Sequence, residues 1–200
     1  MLTAVAAGGC TGLDAAIYYL VHSTLVVAVL FVLCDLLGRQ RGAAGDAFSA
    51  GPTVQRAAVL GLAFLFAGAT VAGLPPSTGF LGKVMILRSV MDTAHAPLIW
   101  TVILVTSLAM VVGCARAGSA LLWKTAEGPA ATPGAAPRPG EWSALALLAV
   151  ASALLIVYAA PAIEYAQATA DQLAAPGGYV EAVLGRDRSG LLTPLSGGPR

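Results

Sequence analysis

The chain has 200 residues, of which 58% are hydrophobic and 10% charged, and its net charge is +1. Soluble domains carry about 25% charged residues, so a mean hydropathy of +0.81 puts this chain in the membrane class. The near-neutral charge argues against a nucleic-acid partner, and Cys10, Cys34 and Cys114 are too widely spaced for a metal or redox motif.

The predicted elements follow from runs without charge. Residues 15–34 contain His22 but no acidic residue, lysine or arginine. They predict a helix near 13–37, with Asp14 at its start, where a carboxylate is favourable. Asp35, near the other end, precedes Arg39 by four residues and is placed to pair with it. Cys34 and Cys114 lie in apolar runs and read as small buried hydrophobes.

Residues 57–82 contain no charged side chain, 26 in succession. The helical pattern continues to about 91, which is too long for one straight span. At about 1.5 Å per residue it would extend roughly 50 Å, against a hydrocarbon core of about 30 Å. Leu74-Pro75-Pro76 supplies a break. Each proline lacks an N–H, and the residue before a proline avoids the helical region. Gly79 and Gly82 are expected to let another backbone or water approach. The second span is therefore a broken helix over 57–91.

Two further spans are expected near 97–123 and 142–163, since 97–115 and 142–163 are free of charge. Between them, Ala130 to Gly140 is rich in Pro, Gly and Ala, and loop 124–141 reads as a flexible linker. A short helix is expected over 161–174 after Pro161, within a C-terminal tail, 164–200. The fold class is thus an all-α integral membrane protein of about four transmembrane helices, spanning 13–163. Arg39, Arg41 and Arg56 in one loop, and Lys124 and Arg138 in another, fall on one side of such a bundle. By the positive-inside rule that side is the cytoplasm, and the tail is then extracytoplasmic.

Lys83 is the chemically telling residue. Ala57 to Gly82 before it are uncharged, and Val84 to Leu87 after it are apolar. A lysine can snorkel to the interface, but ionisable groups at such depth usually face a polar interior and mark an ion path. A second half-helix starting near Thr78 or Gly79 would point its N–H groups at the gap, and their partial positive charge disfavours a nearby ammonium. Carbonyls left unpaired on the first half can hold water or a cation. His22 lies in the middle of the first helix, with Tyr18 one turn before it on the same face. It suits a proton relay or, alternatively, a structural bond to a neighbouring helix. Ser77, Thr78 and Thr70 are candidates to line the gap, although the Thr70 hydroxyl can equally bond back to its own helix. No nucleophile–base pair, phosphate loop or cofactor motif occurs, so neither an enzyme nor a cofactor is expected.

The segments AIYYLVHSTLVVAVLFVL (16–33), AGLPPSTGFLGKVMIL (72–87) and YVEAVLG (179–185) resemble the D-type subunit of the Mrp/Pha-type multisubunit monovalent cation/proton antiporters. Those proteins are similar to the antiporter-like subunits of complex I. The resemblance implies the last helices of a fourteen-helix protein, with residues 1–12 the remnant of a preceding helix. It implies transport of Na⁺ or K⁺ against protons in a bacterial inner (plasma) membrane. Other subunits of the complex and the lipid bilayer are the implied partners. Lys83 takes the position of the terminal lysine in a central line of buried ionisable groups, and His22 that of a histidine in the same line. Where some relatives have a lysine five residues after the histidine, this chain has Val27. The alternatives are a proton-pumping membrane-arm subunit of a complex I-like or hydrogenase complex, or an inactive structural remnant.

Overall fold

A computed structural model of the chain describes residues 12–42, 45, 47, 52–124, 137–175, 177 and 183. The described residues form six α-helices and no strand. These are α1 (Leu13–Gln40), α2 (Ala57–Ala72), α3 (Thr78–Ser89), α4 (Ala96–Gly118), α5 (Pro139–Val157) and α6 (Ala159–Ala174). A single π-helical turn, Ser119–Trp123, extends α4. Three helices are long and apolar enough to cross a membrane: Leu13–Gln40, Ala96–Trp123 and Pro139–Val157. The broken span, α2 followed by α3, joins them. The chain is an all-α membrane protein with the expected break.

The first helix organises the bundle. Its buried residues Tyr18, His22, Val26, Val29, Leu33, Leu36 and Gln40 recur at intervals of three and four, so they form one stripe. That stripe packs against α2, α3, α5 and α6. On the other side Leu20, Val27 and Phe31 are exposed, and Phe31 is 73% exposed. An apolar residue on the outside is ordinary where lipid is the solvent. Two clusters fill the interior. Val26, Val29, Leu33, Leu36, Leu60 and Ala67 belong to one. Ala15, Ala16 and Ile86, with Tyr19, Met85 and Ile103 against them, form the other. The second cluster pairs the start of α1 with the end of α3, so these two helices run antiparallel.

Arg39 bonds both Asp35 and Glu141, and the Arg56 guanidinium lies 5.3 Å from the centre of the Trp142 ring. These contacts bring the end of α1, the start of α2 and the start of α5 together. The end of α4 joins them, because the Leu122 side chain lies against Gly61. The bundle thus has one arginine-rich end.

Two expectations need correction. The fourth apolar run is not one helix over 142–163. It ends at Val157, bends at Tyr158 (φ −99°, ψ 32°) and continues as α6. Pro161 explains the bend, since it has no N–H to offer the Val157 carbonyl. The next residue, Ala162, donates to Tyr158 and restarts the ladder at 3.2 Å. α6 packs against α1 through Ala166 and Ala170. Cys34 is exposed rather than buried, and Cys114 is half-buried against Gly68. An apolar run in a membrane protein does not require burial within the protein. Residues 1–11, the linker residues 125–136 and most of the tail after Ala175 lie outside the described residues.

Candidate functional site

The break is built from three pieces of local chemistry. First, α2 ends at Gly73, whose φ of +78° is left-handed. The Gly73 N–H donates to the Thr70 carbonyl at 3.2 Å, and the Leu74 N–H donates to the Ala69 carbonyl at 2.9 Å. This is the Schellman arrangement, in which a glycine reverses the chain after a helix. Pro75 and Pro76 follow, joined by a cis peptide bond, and prevent the helix from resuming. Finally, Ser77 caps α3, its hydroxyl accepting from the Phe80 N–H at 3.3 Å.

Lys83 bridges the gap. Its Nζ donates to the Ala72 carbonyl at 2.6 Å, to the Val71 carbonyl at 3.3 Å and to the Ser107 hydroxyl at 2.8 Å. The three donors of an ammonium are thereby matched. The Ser107 hydroxyl donates its own proton to the Ile103 carbonyl at 2.7 Å. The setting differs from the one expected from the sequence. The ammonium sits on the carbonyl end of α2, whose partial negative charge favours a cation. It therefore fills the place where unpaired carbonyls were expected to hold water or an ion. Among the described residues Lys83 makes no ion pair with a carboxylate.

His22 meets the other half. It is 2% exposed, and its Nδ1 shares a 2.8 Å hydrogen bond with the Thr78 hydroxyl at the first turn of α3. The Tyr19 ring stands edge-on to it, with centroids 5.3 Å apart. Tyr18, one turn earlier, is also 2% exposed, and among the described residues its hydroxyl has no hydrogen-bond partner.

The glycines are where helices touch. A Cβ on Gly79 would collide with the Thr70 carbonyl and come within 3.1 Å of the His22 ring. A Cβ on Gly82 would lie 2.9 Å from the Tyr19 ring, and one on Gly73 would lie 2.8 Å from the Lys83 side chain. They admit a backbone and three side chains. Pro75 and Pro76 are exposed. Thr70 is buried, but its hydroxyl donates to the Phe66 carbonyl of its own helix at 2.7 Å. Asp35 lies apart from the gap, in the exposed cluster with Arg39 and Glu141.

Sequence reasoning missed Ser107. It lies in an apolar helix that looked like a plain anchor, and its only signal was a hydroxyl at mid-helix.

Comparison with known proteins agrees with this architecture. A family model described as "NADH:quinone oxidoreductase/Mrp antiporter, TM" matches residues 1–110. The chain is 31% identical to the D-type subunit of the probable K(+)/H(+) antiporter of Rhizobium meliloti (strain 1021), over 95% of this chain and 40% of the relative. It is 28% identical to the D-type subunit of the Na(+)/H(+) antiporter of Bacillus subtilis (strain 168), over 92% of this chain and 37% of that one. It is 32% identical to the N-type subunit of the NADH-quinone oxidoreductase of Granulibacter bethesdensis, over 56% of this chain and 23% of the relative. The chain thus spans about two fifths of the length of the antiporter relatives it matches. No solved structure matches it. The match over residues 1–110, more than half of the chain, places it in the NADH:quinone oxidoreductase/Mrp antiporter transmembrane family.

Proposed function

We propose that the chain serves as part of a membrane subunit of a multisubunit monovalent cation/proton antiporter, in which Lys83 and His22 hold and pass on protons at the helix break. The observation that carries this reading is Lys83. A lysine in an apolar bundle, bonded to the carbonyl end of one half-helix and to Ser107, is a cation held in a protein-lined gap. A snorkelling lysine would reach for the interface instead. Inverted helix ends around a gap are a recurrent way for transporters to hold ions at mid-membrane.

In this reading a proton leaving Lys83 leaves a neutral amine with two N–H donors, so one of its three bonds to Val71, Ala72 and Ser107 is given up and regained when a proton returns. The His22–Thr78 pair accepts or donates on the far side of the gap, since imidazole exchanges protons at either ring nitrogen. The chain carries transport and no catalytic site, and needs no cofactor. Its partners are the other subunits of the complex, the bilayer, and the transported monovalent cation and protons. The arginine-rich end faces the cytoplasm of a bacterial cell, and the protein is multi-pass in the inner membrane.

The test is Lys83→Ala in the assembled complex, with proton-coupled Na⁺ and K⁺ exchange measured in everted vesicles. Loss of exchange with assembly intact is expected, and Lys83→Arg should not restore it, because arginine does not release its proton. Wild-type exchange by Lys83→Ala would sink the assignment. A second reading, a proton-pumping subunit of a complex I-like assembly, has one observation in its favour: the likeness to an NADH-quinone oxidoreductase protein. Coupling of the same lysine to quinone reduction, and not to cation exchange, would select it.

A further inference from the structure

Helices α2 and α4 touch through small residues. Gly68 faces Cys114, where an added Cβ would lie 3.3 Å from the Cys114 Cβ, and Gly118 admits the Phe64 ring. Alongside this seam runs a half-open groove of about 160 Å³, from Gly61 to Leu74 on α2 and from Val111 to Trp123 on α4. From Gly61 to Ala72 the groove is about 17 Å long by helix rise. One leaflet of the hydrocarbon core is about half of ~30 Å, so the groove runs the length of a single acyl chain.

The groove adjoins a second hollow, of about 610 Å³, through their shared residue Ala115. This hollow holds Arg116 and Lys124. Both are exposed, and among the described residues neither forms an ion pair. The π-helical turn Ser119–Trp123 lies between these two cations, and Trp123, which lines the groove, is 70% exposed. Tryptophan at such a level belongs to the headgroup region. A carbon-lined groove one leaflet long, flanked by a hollow that holds Arg116 beside its α4 wall and Lys124 past its outer end, is complementary to one class of molecule.

We propose that the α2–α4 groove is a binding site for an anionic phospholipid, with an acyl chain along Gly68 and Ala69 and the phosphate over Arg116 and Lys124. The inner end of the chain would rest against Ala72, whose carbonyl anchors Lys83. The site thus borders the helix break, but its existence does not depend on any transport role.

The test is native mass spectrometry of the complex purified from its own membrane, delipidated and then given phosphatidylglycerol or phosphatidylcholine. Two cations at the headgroup should make the wild type retain phosphatidylglycerol about thirtyfold better. Arg116→Gln with Lys124→Gln should bring the two lipids level. Ala115→Leu, which adds bulk where the two hollows meet, should lose both. The Cys114 thiol lines the groove and supplies a readout in the wild type. Phosphatidylglycerol should slow its reaction with a lipid-soluble maleimide, read on the peptide that contains it. Equal retention of the two lipids by the wild type, with Cys114 labelling unaffected, would overturn the proposal. So would cross-linking of Cys114 to another protein of the complex, because a protein helix would then occupy the groove.

Discussion

Two clusters of charge in this protein obey opposite rules. At the arginine-rich end, Arg39 bonds two carboxylates, Asp35 and Glu141, and its side chain is 45% exposed. At the helix break, Lys83 has no carboxylate among the described residues, and bonds two backbone carbonyls and a hydroxyl. The surface cluster has the more complete ion pairing but the smaller consequence, because water and salt screen it. In the apolar interior a single unpaired acceptor is costly, so dipoles arranged around one cation matter more. Depth, not the number of opposite charges, sets what a charge is worth here.

The largest test of this contrast is Lys83→Ala, read as stability. It orphans the Val71 and Ala72 carbonyls at a cost of about 1–3 kcal/mol for each buried group left unpaired. The unfolding midpoint of the complex in mild detergent should fall clearly, and an unchanged midpoint would mean that other groups hold the end of α2. Gly79→Ala should come next. Its methyl would collide with the Thr70 carbonyl, and overpacking of this kind costs about 1–3 kcal/mol. Because the obstacle is backbone, the two half-helices must separate, and His22 should lose its bond to Thr78. Normal stability and exchange in this variant would contradict the close approach.

Smaller effects sharpen the comparison. Thr78→Val keeps the shape and removes the His22 partner, and should lower the midpoint by the equivalent of about 1–2 kcal/mol. Tyr18→Phe works in the other direction. The Tyr18 hydroxyl is buried without a partner among the described residues, so removing it should leave the midpoint equal to wild type or higher. A marked fall would reveal a bond to this hydroxyl. Arg39→Gln should be indistinguishable from wild type at physiological salt in the same melt. A large loss there would mean that the exposed cluster also holds the bundle together.

How far these sites were legible depended on the range of the interaction. The break at Leu74-Pro75-Pro76 is local and follows from residue type, whereas Ser77, read as lining the gap, caps α3, and the terminating role of Gly73 was not read. Cys34 was misread as buried, because lipid and protein interior select the same apolar side chains. Ser107 was missed, because a hydroxyl at mid-helix does not show which neighbour it meets. The Arg39–Asp35 spacing was visible, whereas Glu141, 102 positions away, was not.

The sequence by itself determined the all-helical membrane class, the apolar runs and the position of the break. Lipid offers no hydrogen bonds, so the backbone must satisfy itself in helices, and proline removes a donor wherever it falls. Only the tertiary structure decided what occupies the gap. Lys83 reaches both the Ala72 carbonyl and Ser107 because α2 and α4 meet beside it. His22 faces Thr78 because α1 and α3 run antiparallel. Gly79 is glycine because the Thr70 carbonyl occupies the space its side chain would need. Each of these depends on separate helices meeting face to face, which no local pattern encodes.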